Sequence, residues 1–594
     1  MPFHNGFTGP GDTALMELNQ LRAPWWARIH FLQRNANSTA GRVNCLLAGL
    51  LALTVSGAAL AQPAAAPAPA AAAAAATPAA PKFDILEYEI TGNTRLSATQ
   101  IEAAVLPFLG EQLGMADVDA ARAALEKAYQ TAGYLSVFVD VPEQRVDGGV
   151  IRLSVLEGRV GLLRVTGARY YAQGRIRDAV PELAVGQVPN FNIVQQQLAD
   201  VSRGEERRVL PVTRAGRLPG TMEIDLQVED RLPLGGSVEL SNAAATGTDP
   251  LRMAVNLHYD NFLQRDHSIA MTVLGAPAAL AQSKVFVFNY LAPLSDGASL
   301  ALSYVNSSSD LESLGGTRVL GRGTTMGLRY AMTRPLANSS HSLSLGFDYK
   351  NLSEDVITSA GMIAAPLRYM PLQAGYNGIW WGDSSQQQLS VTAVVGLRPL
   401  LQTQRADCQL ADGSFGSEDQ FACKRRDADG GFSTLRFDWR GTQGLGFIEL
   451  AGRLSGQLST QALTSAEQFA VGGADTVRGY AEGVAAGDMG LLASLELRSR
   501  NLAPKLLAAL DASATSRFSD LVVYGFVDAA RVSLQGVEAG QQRRTPLLGS
   551  GLGLRLGVRS GVSLAIDWAQ RHRPVPGHPD ADSQHVHLRA ALRF

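Results

Sequence analysis

Cysteine and charge are both scarce in this 594-residue chain, which has three Cys, 18% charged residues and a formal net charge of −2. That balance argues against a nucleic-acid binder. Long apolar runs are scarcer still. The one candidate runs from Cys45 to about Val55, whereas a helix crossing lipid needs roughly 18 to 25 apolar residues. Arg34 and Arg42 precede it and Ala59-Leu60-Ala61 follows, so residues 1–61 read as an unusually long leader ending in a secretory signal peptide, cleaved before Gln62. Cys45 leaves with that segment, and the RVN before it is a poor lipobox. With no other helical span, insertion into lipid must come from strands closed on themselves, because unpaired backbone groups in hydrocarbon cost several kcal/mol each. No Ser-His-Asp or paired-carboxylate arrangement stands out either, so no enzyme and no cofactor are expected.

What the chain does have is alternation. In the final HVHLRAALRF, Val586, Leu588, Ala590, Leu592 and Phe594 share one side of an extended strand; His585, His587, Arg589 and Arg593 share the other. These are a lipid face and a wet face, and an aromatic residue at the apolar parity suits the last strand of a membrane barrel, so Phe594 is the expected assembly signal. After Arg231 about sixteen such segments run to the end, separated by Gly, Asn, Asp, Ser and Pro. Leu251, Met253, Val255, Leu257 and Tyr259 oppose Arg252, Asn256, His258 and Asp260; Leu343, Leu345, Phe347 and Tyr349 oppose Ser342, Ser344, Asp348 and Lys350. A large soluble β-sandwich would also alternate, but its inward polar faces would bury unpaired charge. Residues 232–594 are therefore expected to form an outer-membrane barrel of about 16 antiparallel strands.

Residues 62–82 are almost wholly Ala and Pro and read as a tether. Residues 83–158 then give a strand over Ile85–Ile90, helices over Ser97–Leu106 and Ala116–Thr131, and strands over Tyr134–Val139 and Val150–Val155, in the order β-α-α-β-β. Residues 159–231 repeat it, with a strand over Leu162–Val165, helices near Gly174–Leu183 and Phe191–Ser202 and strands over Arg207–Arg214 and Thr221–Val228, and Thr166-Gly167 takes the place of the turn Thr91-Gly92-Asn93. Two tandem modules with exposed sheet edges suit recognition of an extended peptide by strand addition, or serve as spacers.

Cys408 and Cys423 lie in a polar, glycine-rich segment between two alternating strands. In an exported protein they are expected to form a loop-closing disulfide; with no His nearby and no further Cys, a metal site is the weaker alternative. Gly549, Gly551, Gly553 and Gly557 look like a phosphate-binding loop but alternate with Leu552, Leu554, Leu556 and Val558, so they read as small inward residues that make room for a folded-in loop. His585 and His587 share a face and are read as lumen lining rather than metal ligands.

Between two strands, the segment from Glu467 to Asp488 contains Val477-Arg478-Gly479-Tyr480. With two tandem modules before a C-terminal barrel, this motif resembles the sixth extracellular loop of the two-partner secretion transporters (TpsB; the ShlB/FhaC/HecB family), and the resemblance extends from Phe83 to Phe594. It implies that Arg478 folds back into the barrel. An arginine placed there is a planar, permanently charged fork that seeks a carboxylate. The partner implied is Asp528, in Phe526-Val527-Asp528, which matches the family's F-x-D pattern on the thirteenth strand; the family pattern continues with Gly where this chain has Ala529-Ala530. Gly479 would permit the turn and Tyr480 would pack the loop tip on the wall. The resemblance further implies two polypeptide-transport-associated (POTRA) modules in the periplasm and export of a large hemolysin- or adhesin-like exoprotein (TpsA-like), recognised through its N-terminal secretion domain. Its other partners would be the lipid bilayer and the barrel-assembly machinery. A barrel-assembly insertase of the same superfamily and a passive porin are the rival readings.

Overall fold

The structure, a computed structural model, describes residues 82–594 apart from 147, 203–205, 281–282, 295–296, 315–316, 359–360, 410–413, 505–516, 538–540 and 575–581. The expected signal peptide and, save Lys82, the Ala/Pro tether lie outside the described residues. The chain divides into two units, one reaching to Leu232 and one running Pro233–Phe594.

The first unit holds two modules of one design. In the first, Val150–Glu157 is the middle strand of three, parallel to Glu87–Thr91 and antiparallel to Val137–Asp140. Helices Ala98–Val105 and Met115–Thr131 supply the other half of its core. The first helix starts at Ser97 because its hydroxyl accepts from the Gln100 amide (3.4 Å) while the Gln100 side chain accepts from the Ser97 amide (3.0 Å), satisfying two orphan donors. The second buries Val118, Ala121, Leu125 and Tyr129, a stripe at helical spacing, against Ile151 and Leu153.

The second module repeats the arrangement. Thr221–Asp230 lies between Arg159–Thr166 (parallel) and Arg207–Ala215 (antiparallel), with helices Gln173–Asp178 and Phe191–Val201. In both, the first strand ends in a glycine with φ near +85° whose absent Cβ would meet a central-strand carbonyl: Gly92 at 2.3 Å from Val155 O, Gly167 at 2.4 Å from Val228 O. The modules are hydrogen-bonded to each other, the Phe191 amide donating to Gly133 O (2.8 Å) and the Asn190 side chain to Ala132 O (2.9 Å).

Several local expectations need correction. A short antiparallel pair, Phe83–Ile85 with Gly110–Leu113, joins the first module, because Pro107 ends helical bonding and the segment after it runs extended. The helix expected to reach Leu183 stops at Asp178 and resumes as a single 3-10 turn at Pro181–Leu183, where proline's missing N–H breaks the ladder. The strand expected from Tyr134 begins at Val137, since the chain must first turn through Gly133 at φ +98°.

The second unit is a closed antiparallel barrel. Its first strand is Leu234–Ser241 and its sixteenth Gln584–Arg593. Gly361–Tyr369 and Pro371–Trp381 both pair with the seventh strand, Ser339–Thr358, and count as one eighth strand, giving sixteen, as the alternation predicts. The interruption falls where Pro371 has no N–H to donate. The other strands used below are the ninth (Ser385–Gly396), tenth (Ser433–Leu445), eleventh (Ile448–Ser459), twelfth (Met489–Ser499), thirteenth (Phe518–Ser533), fourteenth (Arg544–Val558) and fifteenth (Val562–Arg571). Parity runs as read: Leu343 and Leu345 are 65% and 64% exposed on the outer wall, while Asp348 and Lys350, one step out of phase, are 0% exposed inside. Arg589 to Arg593 of the last strand pair with Ser241 to Ser237 of the first, and Phe594 exchanges two backbone hydrogen bonds with Gly236 (2.9 and 3.0 Å). Phe594 therefore extends the closing seam.

Candidate functional site

The segment joining the eleventh and twelfth strands turns into the bore. A small hairpin, Phe469–Val471 with Ala485–Gly487, brings it in, and Val477 and Tyr480 are buried beside inward Leu492, Ala530, Val532 and Leu547. Apolar contact holds the loop's body. Charge holds its tip.

Arg478 is 5% exposed, which excludes a solvated loop charge. Its Nε donates to Asp528 Oδ2 (2.7 Å), Nη2 to Asp528 Oδ1 (2.9 Å) and its own amide to Asp528 Oδ2 (3.1 Å). This is the two-pronged match of guanidinium to carboxylate that lysine cannot make. The remaining nitrogen, Nη1, donates to Glu496 Oε1 on the twelfth strand (2.7 Å), and the guanidinium lies 3.5 Å from the centre of the Phe526 ring. Strand periodicity explains that stacking: Phe526 and Asp528 are two residues apart and so share the inner face. Ser494 Oγ completes the cradle by donating to Asp528 Oδ1 (2.6 Å).

The neighbouring motif residues complete the fit. Gly479 has φ +93°, and its amide donates to His587 Nε2 (3.1 Å). The Tyr480 hydroxyl donates to Arg573 O (2.8 Å) and accepts from the Leu548 amide (3.2 Å). A Cβ on Gly549 would stand 2.0 Å from Arg478 O, so a glycine opposite Asp528 in the fourteenth strand is what admits the loop backbone. His585 and His587 lie side by side, ring centres 4.5 Å apart. Among the described residues no group of three or more His, Cys, Asp or Glu is placed to hold a metal ion.

Several partners escape a reading of the sequence. Glu496 gathers Arg478, Arg498 (2.7 Å) and Arg555 (3.3 Å). Asp567 bonds the Tyr524 hydroxyl and stands 3.9 Å from Arg478. Asp475 ties the loop to Arg589 of the last strand (3.0 Å), and buried Glu467 ties its entry to Lys350 (2.5 Å), Tyr369 (2.7 Å) and Arg436 (3.0 Å). Each lies at an inward parity or within the loop, which is the only trace of it in the sequence. Which strands face one another across the bore is set by barrel closure. Cys408 and Cys423 are joined in a disulfide in the loop between the ninth and tenth strands.

Residues 83–158 match the family model of the POTRA domain, ShlB-type, and residues 220–556 match that of the Haemolysin secretion/activation protein ShlB/FhaC/HecB. The second match covers more than half of the chain and includes Arg478 and Asp528. The outer membrane transporter CdiB of Escherichia coli is 27% identical over 173 residues, a stretch that is 29% of this chain and 29% of the relative's length. CdiB of Dickeya dadantii (strain 3937) is 22% identical over 429 residues, 69% of this chain and 71% of the relative. The solved structure of CdiB from Escherichia coli superposes with a TM-score of 0.55 at 17% identity, covering 99% of both chains.

Proposed function

Because this chain belongs to the Haemolysin secretion/activation protein ShlB/FhaC/HecB family, we propose that it exports a large partner exoprotein through its barrel. The barrel resides in the outer membrane, with the POTRA region in the periplasm. The two modules would capture the partner's N-terminal secretion domain as an extended chain. Each sheet ends in edge strands, such as Glu87–Thr91 and Arg207–Ala215, and an added strand can pair along such an edge. The captured segment would then enter the bore while the Arg478 loop leaves it. Folding of the passenger outside would favour forward movement, with no chemical step and no nucleotide.

One observation carries this reading most directly. A polar bore is occupied by a loop held through hydrogen bonds, ion pairs and apolar packing, with Arg478 shared between Asp528 and Glu496. Such a stopper is removable, whereas a static pore has no use for one. The bilayer and the barrel-assembly machinery are the further partners proposed, and a hemolysin- or adhesin-like exoprotein is the proposed cargo. The test is to co-express the chain with a very long, repetitive, β-rich exoprotein from an adjoining reading frame. The exoprotein should reach the medium only when the chain is present. Retention in the periplasm in both cases would remove the assignment.

A further inference from the structure

A second body packs at the same end of the barrel. Between the ninth and tenth strands, a hairpin of Gln404–Gln409 and Phe415–Asp419 is tied by the Cys408–Cys423 disulfide to the helical turn Gln420–Lys424. That turn lies inside the wall. Phe421 packs edge-on against Tyr369 (5.3 Å) within a cluster that includes inward Leu367 and Val394 and loop residues Phe432 and Leu463. Gln420 accepts from the Arg368 amide (2.9 Å) and donates to Arg368 O (2.7 Å), fixing the turn to the eighth strand.

Arg425 follows that turn directly, two residues after Cys423. Its guanidinium pairs with both oxygens of Asp488, Nη2 to Oδ2 at 2.9 Å, and donates to Leu463 O and to Gln535 O (2.8 Å). Asp488 is fully buried and also accepts from the amides of Leu463 (3.0 Å) and Gln535 (2.7 Å). Leu463 and Asp488 are the two feet of the Arg478 loop, and Gln535 begins the loop after the thirteenth strand. One side chain therefore joins three separate loops. A five-residue helical turn cannot hold its own shape in isolation, so the disulfide and the Phe421 cluster are what keep Arg425 in place.

We propose that the hairpin of Gln404–Gln409 and Phe415–Asp419, with the helical turn Gln420–Lys424, is the second half of the barrel's plug, and that Arg425 is a positioning residue clamping it to the foot of the Arg478 loop. Arg478 and Asp528 lock the tip; Arg425 and Asp488 lock the base. The bore then opens only when the base lock also parts, and the disulfide sets how readily it does. The inference rests on the bore being the conduit, as proposed above, but its test needs no exoprotein.

Purified full-length protein is inserted into planar bilayers in KCl and single-molecule ion current is recorded for wild type, Arg425→Gln, the Cys408→Ser/Cys423→Ser pair, their combination, and Arg478→Ala. Arg425→Gln and the cysteine pair are each expected to raise the fraction of time spent open by about tenfold or more, as loss of one partner of a buried charge pair implies after discounting for water in the bore. Their combination should add little beyond the larger single effect, because both act on one clamp. Wild-type channels already inserted and then exposed to dithiothreitol on the loop side should show the same rise, which removes misfolding of the variants as a cause. Currents unchanged in Arg425→Gln and in reduced wild type, while Arg478→Ala opens, would overturn the clamp and leave the conduit standing. Failure of every variant to open would overturn the conduit and the clamp together.

Discussion

Deleting either side of the Arg478–Asp528 pair has a consequence that can be read at individual amides. In the closed barrel the Arg478 amide donates to Asp528 and the Gly479 amide to His587, so hydrogen exchange at these two positions reports whether the tip is seated. Arg478→Ala removes two side-chain bonds to Asp528, one to Glu496 and the stacking on Phe526. Asp528→Ala leaves Arg478 with Glu496 alone at bonding distance and Ser494 without its acceptor. Breaking a fully buried ion pair costs about 3 to 5 kcal/mol, and a wet bore reduces that to about 2 to 3 kcal/mol. At 1.36 kcal/mol per factor of ten, protection of both amides should fall about 30- to 150-fold in Arg478→Ala, and that of the Gly479 amide, whose acceptor His587 neither variant removes, by the same factor in Asp528→Ala. The double variant should fall little further, because the second deletion finds nothing left to break. Exchange measured in detergent-solubilised protein, with strand amides of the thirteenth and fourteenth strands as an internal reference, provides the assay. Unchanged protection in both single variants, or losses that add in the double, would refute the coupling.

Other expectations follow from the same geometry. Gly549→Ala places a methyl 2.0 Å from Arg478 O and should unseat the loop tip, lowering its amide protection by about tenfold, whereas Gly525→Ala, whose nearest neighbour would be 3.6 Å away, should leave it intact; equal behaviour of the two would contradict the close approach. In the first module, Leu125→Ala empties a fully buried site and should cost about 2 to 5 kcal/mol, seen as a lower urea midpoint of the segment 83–231. A loss below about 0.5 kcal/mol, the range of ordinary surface changes, would show that the helix does not pack there. Maleimide should label neither Cys408 nor Cys423 in folded protein until a reductant is added; immediate labelling of both would reject the bridge.

The barrel was legible because membrane strands obey a period of two without relief. Leu251 to Asp260 and Leu343 to Lys350 assign their own inside and outside, and a hydrocarbon solvent punishes every exception. The repeat of Thr91-Gly92 in Thr166-Gly167 marked the two modules for a similar physical reason, since only glycine fits beneath Val155 O and Val228 O. Pattern and structure part where proline or a turn overrides the periodicity, at Pro107, Pro181 and Gly133. The Arg478 motif and Asp528 are legible only through family resemblance, and Glu496, Asp567 and the Arg425–Asp488 pair carry no sequence signature beyond their parity or loop position. Residues as far apart as Lys350 and Glu467, separated by 117 positions, meet because a closed sheet curves them together. No local periodicity carries that information.

Transit of another polypeptide inside this barrel, as proposed above, leaves a trace on the wall. A photo-crosslinking residue placed at Asn256, which faces the bore, or at its neighbour Leu257, which faces lipid, tests it directly while the exoprotein is being exported. Crosslinks to the exoprotein are expected from position 256 and none from 257. Crosslinks from 257, or silence at 256 while export proceeds, would contradict it.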